Sequence, residues 1–85
     1  ELLRSVVEWF NYLTRRTDIP LSYFIIENEL GDVVIKTKEG WEIKARLDSN
    51  IERQFADLSL VLRGQVKRPN FNYVDVRYEG RVYWQ

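Results

Sequence analysis

Residues 41–62 read WEIKARLDSNIERQFADLSLVL, and the change of period inside this stretch decides the fold. Trp41, Ile43, Ala45 and Leu47 alternate with Glu42, Lys44 and Arg46, a period of two that lays one apolar row along one face of a strand. Asp48, Ser49 and Asn50 then offer three candidate N-caps, because each side-chain oxygen can accept from the open N–H groups of a following first turn. Ile51, Phe55, Leu58 and Leu62 recur at helical spacing, and Gly64 is a natural stop. A strand running straight into an amphipathic helix implies a sheet and a helix that share one core.

Working toward the N-terminus, Val33 to Thr37 is a second strand, separated from Trp41 by the Glu39-Gly40 turn signal. Leu21 to Asn28 is rich in aromatic and β-branched residues and is apolar on both faces, which predicts a central strand; Gly31-Asp32 marks the turn after it. Leu2, Leu3, Val6, Val7, Phe10 and Leu13 recur at three- and four-residue steps, the signature of an amphipathic helix, with Arg4, Glu8, Asn11 and Arg15 opposite. Trp9 flanks that stripe and is expected to be partly exposed, whereas Trp41 belongs to the alternating row and is expected in the core. The helix should end near Arg15–Thr17, where basic residues suit the negative end of its dipole and Pro20 forbids continuation.

Toward the C-terminus, Gln65 to Asn70 reads as a polar loop. In Phe71 to Tyr78, Val74, Val76 and Tyr78 alternate with Tyr73, Asp75 and Arg77. Glu79-Gly80 closes a tight turn before a short last strand, Arg81 to Gln85. The order is αβββαββ, and short turns favour antiparallel neighbours. The predicted fold is α+β: one domain over residues 1–85, an antiparallel sheet of about five strands with two helices packed on one face.

Composition narrows the function. In 85 residues, 45% are apolar and 14% aromatic, enough for one small core. Lys plus Arg number 13 and Asp plus Glu 13, a net charge of zero that argues against binding dominated by phosphate contacts. The sequence holds no Cys and no His, which removes the usual structural zinc sites, thiol nucleophiles and imidazole bases. No carboxylates fall in an acid/base or metal-loop spacing. No enzyme activity, cofactor or small-molecule substrate is therefore expected. No apolar run is long enough to span a membrane, and a chain that opens on Glu1 rather than Met reads as a piece of a longer one.

The segment Tyr73-Val74-Asp75-Val76-Arg77-Tyr78-Glu79-Gly80-Arg81-Val82-Tyr83-Trp84 resembles the C-terminal signature of the extracytoplasmic β-domain of FtsQ/DivIB cell-division proteins: a hydrophobic-Asp-hydrophobic-Arg-aromatic strand, a turn, and a short apolar strand. The upstream order, including Leu30-Gly31-Asp32-Val33-Val34-Ile35 and Glu39-Gly40-Trp41-Glu42-Ile43, follows the family pattern across nearly the whole chain, although only the last dozen residues are specific. The resemblance implies a non-catalytic divisome scaffold. Its parent would be a single-pass protein of the cell membrane with this domain on the extracytoplasmic side, and its membrane helix and POTRA domain would lie outside this fragment. Its implied partners are coiled-coil division proteins of the FtsB/DivIC and FtsL types, the former adding a strand to the last strand of the sheet. Carried onto this sequence, the family's residues around the final turn and strand are Arg77, Tyr78, Gly80 and Trp84; with Arg81 and Tyr83 of the last strand they make up the candidate partner-binding set.

Each of these residues also has a plainer reading. The last strand of a meander tends to be an edge, with a row of free N–H and C=O groups, and Arg81 to Gln85 carries one charge and no Pro to blunt it. Tyr78 and Trp84 are of a type enriched at binding hot spots, but Trp84 shares a parity with Val82 and is equally suited to capping the core. Arg77 can fork onto a partner carboxylate or pair with Asp75 within the sheet. Lys36, Lys38, Lys44 and Arg46 are interleaved with Glu39 and Glu42, as on a solvated face of mixed charge. Two alternatives in function stay open: a sheet that stacks single-stranded nucleic acid on Tyr73, Tyr78 and Tyr83, and an unrelated structural extracytoplasmic interaction domain.

Overall fold

The computed structural model describes residues 2–48, 50–64 and 72–85. The polar loop expected over Gln65 to Asn70, Phe71 and the candidate cap Ser49 lie outside the described residues. The elements are α1 (Leu2–Arg16), β1 (Leu21–Ile26), β2 (Asp32–Thr37), β3 (Glu42–Arg46), α2 (Ile51–Gly64), β4 (Tyr73–Asp75) and β5 (Tyr83–Trp84). The order αβββαββ and the α+β class are those the sequence predicts, and the strands form one sheet in the order β1-β2-β3-β4-β5.

The sheet is mixed, not antiparallel throughout. β1–β2, β2–β3 and β4–β5 are antiparallel, as their tight connections require, but β3 and β4 run parallel, with Ile43 opposite Val74. The cause is α2. A hairpin reverses the chain between neighbouring strands, whereas a helical crossover carries it back so that the next strand starts at the same end. At the start of α2, Asn50 is the cap: its Oδ1 accepts from the N–H of Arg53 at 3.1 Å.

The core is one cluster drawn from both helices and one row of the sheet. Trp9, Tyr12 and Leu13 of α1 and Phe55, Leu58 and Val61 of α2 meet Val33, Ile35, Ile43, Ala45 and Val74. The strand residues are mutual neighbours by register: Val33 faces Ala45, and Ile43 lies between Ile35 and Val74. Trp41 is buried, as its alternating row predicts. Between the helices Tyr12 stacks flat on Phe55 at 4.1 Å, Trp9 meets Phe55 edge-on at 4.7 Å, and the Tyr12 hydroxyl lies 2.7 Å from that of Ser59.

Two predicted placements are overturned. On α1 the buried stripe is Ser5, Trp9, Tyr12 and Leu13, with Val6 partly covered, while Leu3, Val7 and Phe10 are exposed. The predicted stripe holds at Leu13 and in part at Val6, but Leu3, Val7 and Phe10 give way to Trp9, which is fully buried rather than partly exposed, and to Tyr12. Trp9 and Tyr12 bury more surface than any aliphatic residue of the helix and turn it onto the aromatic cluster with Phe55. Ser5 can lie on the buried side because its hydroxyl donates to the carbonyl of Leu47 at 2.7 Å. The second correction concerns β1, which among the described residues is an edge strand with β2 as its one sheet neighbour, not a central strand. Its two apolar faces arise from a bulge between Leu21 and Tyr23. The extra residue shifts parity, so that Leu21 and Phe24 both pack against the core while Tyr23 and Ile25 fall on the other face.

Candidate functional site

The C-terminal strands carry the residues the sequence singles out. Tyr73-Val74-Asp75 is β4, in which Val74 is fully buried; Val76, beyond the strand, is buried too and donates its N–H to Lys44 at 2.9 Å. At Arg77 the chain leaves the sheet and the alternation stops having a meaning, which is why Tyr78 is exposed although it shares the parity of Val74 and Val76. Gly80 lies at φ +77° in the turn, a conformation that a side chain disfavours, and the N–H of Arg81 closes the turn on the carbonyl of Tyr78 at 3.2 Å.

Among the described residues, β5 pairs with β4 alone. Gln85 and Tyr73 exchange both backbone bonds, at 3.1 and 3.2 Å, and Trp84 stands opposite Val74. In an antiparallel pair the bonded and non-bonded positions alternate, so the N–H and C=O of Trp84 are directed away from β4, along the outer edge of the sheet. The edge is short: two residues rather than the five expected over Arg81 to Gln85. Val82 packs against the core, but Trp84, which shares its parity, is half exposed at 50%, beside Tyr83 at 45% and Tyr78 at 42%. The rings of Tyr78 and Tyr83 meet edge-on at 6.1 Å.

Arg77 is engaged within the sheet. Its Nε and a terminal nitrogen donate to the two carboxylate oxygens of Asp75 at 3.0 and 2.8 Å, and the other terminal nitrogen lies 3.8 Å from Asp32. The doubly bonded Asp75 raises the guanidinium's pKa further above its ordinary value, and the ring of Tyr78 lies 5.2 Å from its carbon. Arg81 is exposed; its guanidinium donates to the Tyr83 hydroxyl at 3.5 Å, a contact that shifts its pKa upward.

Two residues of α2, Arg53 and Gln54, make contacts that the sequence pattern does not announce. Arg53 donates to the carbonyls of Val76, Tyr78 and Arg77 at 3.0, 3.3 and 3.4 Å and pairs with Asp57 at 2.8 Å, so it pins the bend between β4 and β5. Gln54 is fully buried and acts as a substitute strand: its Oε1 accepts from the N–H of Arg46 and its Nε2 donates to the carbonyl of Arg46, each at 2.8 Å. Both side chains stand in an otherwise ordinary helical stretch, and nothing in the spacing reveals that they reach backbone groups of the sheet.

Together these residues enclose a groove of about 620 Å³ beside β5, lined by Arg46, Arg53, Arg77 and Arg81 with Tyr78, Glu79 and Tyr83. Three of its arginines are paired with carboxylates at their backs: Arg46 with Asp32, Arg53 with Asp57 and Arg77 with Asp75. The remaining charges of the sheet are likewise matched, Lys36 with Glu42 and Lys44 over the ring of Tyr73 at 4.3 Å, as expected of a mixed-charge face. Among the described residues no group of acidic side chains is arranged to hold a metal ion, and no helix is long and apolar enough to cross a membrane. The arrangement is suited to holding an extended chain by its backbone and gripping side groups with aromatic rings. No protein-family model matches this sequence, and no curated protein matches it.

Proposed function

We propose that this domain is a non-catalytic interaction module that receives a strand from a protein partner along β5, and that it serves in bacterial septum formation as an FtsQ/DivIB-type scaffold for FtsB/DivIC- and FtsL-type partners. The observation that carries the reading is the edge itself: among the described residues β5 has one neighbour in the sheet, Trp84 turns its backbone groups outward, and Tyr78, Tyr83 and Trp84 stand exposed around it. An added strand would gain affinity from main-chain hydrogen bonds and selectivity from these rings and from Arg81. The division role draws its support from the sequence resemblance over residues 73–84. On this reading Gly80 and Arg77 position the site, through the turn and the Asp75 pair, while Tyr78, Arg81, Tyr83 and Trp84 touch the partner. The parent protein is then anchored in the cell membrane with this domain outside the cytoplasm, and no nucleic acid is bound.

The three tryptophans make the test direct. Trp9 and Trp41 are buried, so quenching of fluorescence by a soluble quencher reports on Trp84. A peptide from an FtsB-type protein should shield Trp84, and Trp84→Ala and Tyr78→Ala should each weaken peptide binding at least about tenfold with the fold intact, the loss usual for a hot-spot aromatic. Unchanged affinity in both variants, or no shielding at saturating peptide, would remove β5 as the binding edge.

A further inference from the structure

The opposite edge of the sheet has a chemistry of its own. β1 runs LSYFII without a charge or a proline, and Tyr23, Ile25 and Ile26 are 54%, 40% and 51% exposed. Most edge strands are short or carry lysine, proline or inward charge that discourages pairing. β1 has a bulge at its start, before Tyr23, and is regular from there to Ile26. The N–H of Glu27 bonds to the carbonyl of Asp32 at 2.8 Å, which fixes the phase of the strand: Glu27 and Ile25 direct their backbone groups at β2, and Phe24 and Ile26 direct theirs outward.

We infer that β1 pairs with β1 of a second copy of this chain, antiparallel about a two-fold axis through Ile25, joining the two sheets edge to edge. The phase of the strand permits this register. Phe24 of one copy and Ile26 of the other exchange both backbone bonds, and the symmetry repeats the pair on the far side of the axis, as an isologous contact demands. Ile25 then faces its own symmetry mate, in the non-bonded position where opposed side chains approach most closely. The charges also suit a second copy. The first charged residue beyond the strand, Glu27, falls opposite Tyr23 of the partner, and Ser22 falls opposite Asn28, so no like charges confront each other. An edge this short buries less surface than a stable dimer needs, so the association is weak and visible at high concentration. The site is separate from β5, and the inference does not depend on the function proposed for that strand.

Because the chain has no cysteine, a single Ile25→Cys substitution gives a clean test on the full 85-residue chain. Under mild oxidation it should cross-link to its mate rapidly, while Ser22→Cys, whose counterpart across the axis is residue 28, should not. In sedimentation equilibrium the unmodified chain should rise with concentration from 10.3 kDa toward twice that mass. Ile25→Lys should raise the dimer's dissociation constant at least about tenfold by opposing like charges. An equimolar mixture of Ile25→Lys and Ile25→Glu should recover the dimer, and Trp84→Ala should dimerise like the unmodified chain. A chain that stays at 10.3 kDa up to millimolar concentration, or equal cross-linking by the two cysteine variants, overturns the inference; so does a Lys/Glu mixture no more dimeric than its components. Circular dichroism of each variant separates loss of pairing from loss of fold.

Discussion

The two edges of this sheet solve opposite problems. β1 is six residues long, uncharged and apolar, and it offers any passing strand the same backbone row. β5 is two residues long, yet it is framed by Tyr78, Tyr83, Arg81 and the arginine-lined groove. Main-chain hydrogen bonds are alike for every sequence, so a long bare edge gives affinity without choice, and a short edge inside a polar frame gives choice with less affinity. The strand most capable of pairing is therefore suited to its own copy, where symmetry supplies the selection. The strand least capable of pairing is, on the function proposed for it, the one whose surrounding side chains would select a different partner.

If both edges belong to one cooperative unit, the strand between them should govern both. Ile43 is fully buried and lies in register with Ile35 toward β1 and with Val74 toward β4. Ile43→Ala should reduce stability by about 2–5 kcal/mol. In hydrogen exchange the amides of Glu27 and Gln85, which pair β1 with β2 and β5 with β4, should lose protection together. Loss at Gln85 alone would mean that β5 opens independently of the rest.

A narrower change should separate the edges. Among the described residues, Arg53 reaches the sheet only on the β5 side, through the carbonyls of Val76, Arg77 and Tyr78. Arg53→Ala leaves those acceptors without their charged donor, a loss of about 1–3 kcal/mol. Exchange at Gln85 should quicken and partner-strand binding at β5 should weaken, while Glu27 and dimer formation through β1 stay as they were. Equal loss at both edges would show that Arg53 supports the whole core rather than the bend.

The sequence discloses the two sides of this comparison unequally. Periodicity is a local signal, so the order αβββαββ, the burial of Trp41 and the turns at Gly40 and Gly80 were all readable from it. Which strand stands at an edge is a property of the whole sheet. The bulge at the start of β1 mixed two parities and gave the look of a strand buried on both faces; the parallel pairing of β3 with β4 follows from a crossover that no single segment encodes. On α1 the aliphatic repeat outweighed Trp9 and Tyr12 in the reading, while in the folded chain the larger rings take the core. At the candidate site, the residue types Tyr78, Tyr83 and Trp84 were plain, and their exposure could be weighed but not decided, since Val82 shares the parity of Trp84 and is packed inward. Arg53 and Gln54 were illegible, because a side chain that completes another element's backbone bonds leaves no pattern in its own.

Acid should separate the edges more gently than either substitution. Asp32 closes the β1–β2 hairpin, and its carboxyl is held below its ordinary pKa mainly by the amide of Asn28 at 3.1 Å, with Arg46 adding to the effect and burial opposing it. A carboxyl depressed in the folded state binds its proton less readily there than in the unfolded chain. Its contribution is therefore complete above the ordinary carboxylate range, near pH 4, and is lost as the pH falls through the depressed value. Other carboxylates titrate in the same window, so the informative quantity is the difference between the unmodified chain and Asp32→Asn. The unmodified chain should lose more stability between about pH 4 and pH 2 than the variant does. Asp32 bonds Glu27 through its own carbonyl but touches the β5 side only through Arg77 at 3.8 Å, so the acid-induced rise in exchange should be larger at Glu27 than at Gln85. Equal rises at the two amides would mean that the ion pairs running from Asp32 through Arg77 to Asp75 bind the edges together across the open face, and the contrast between them would be one of shape alone.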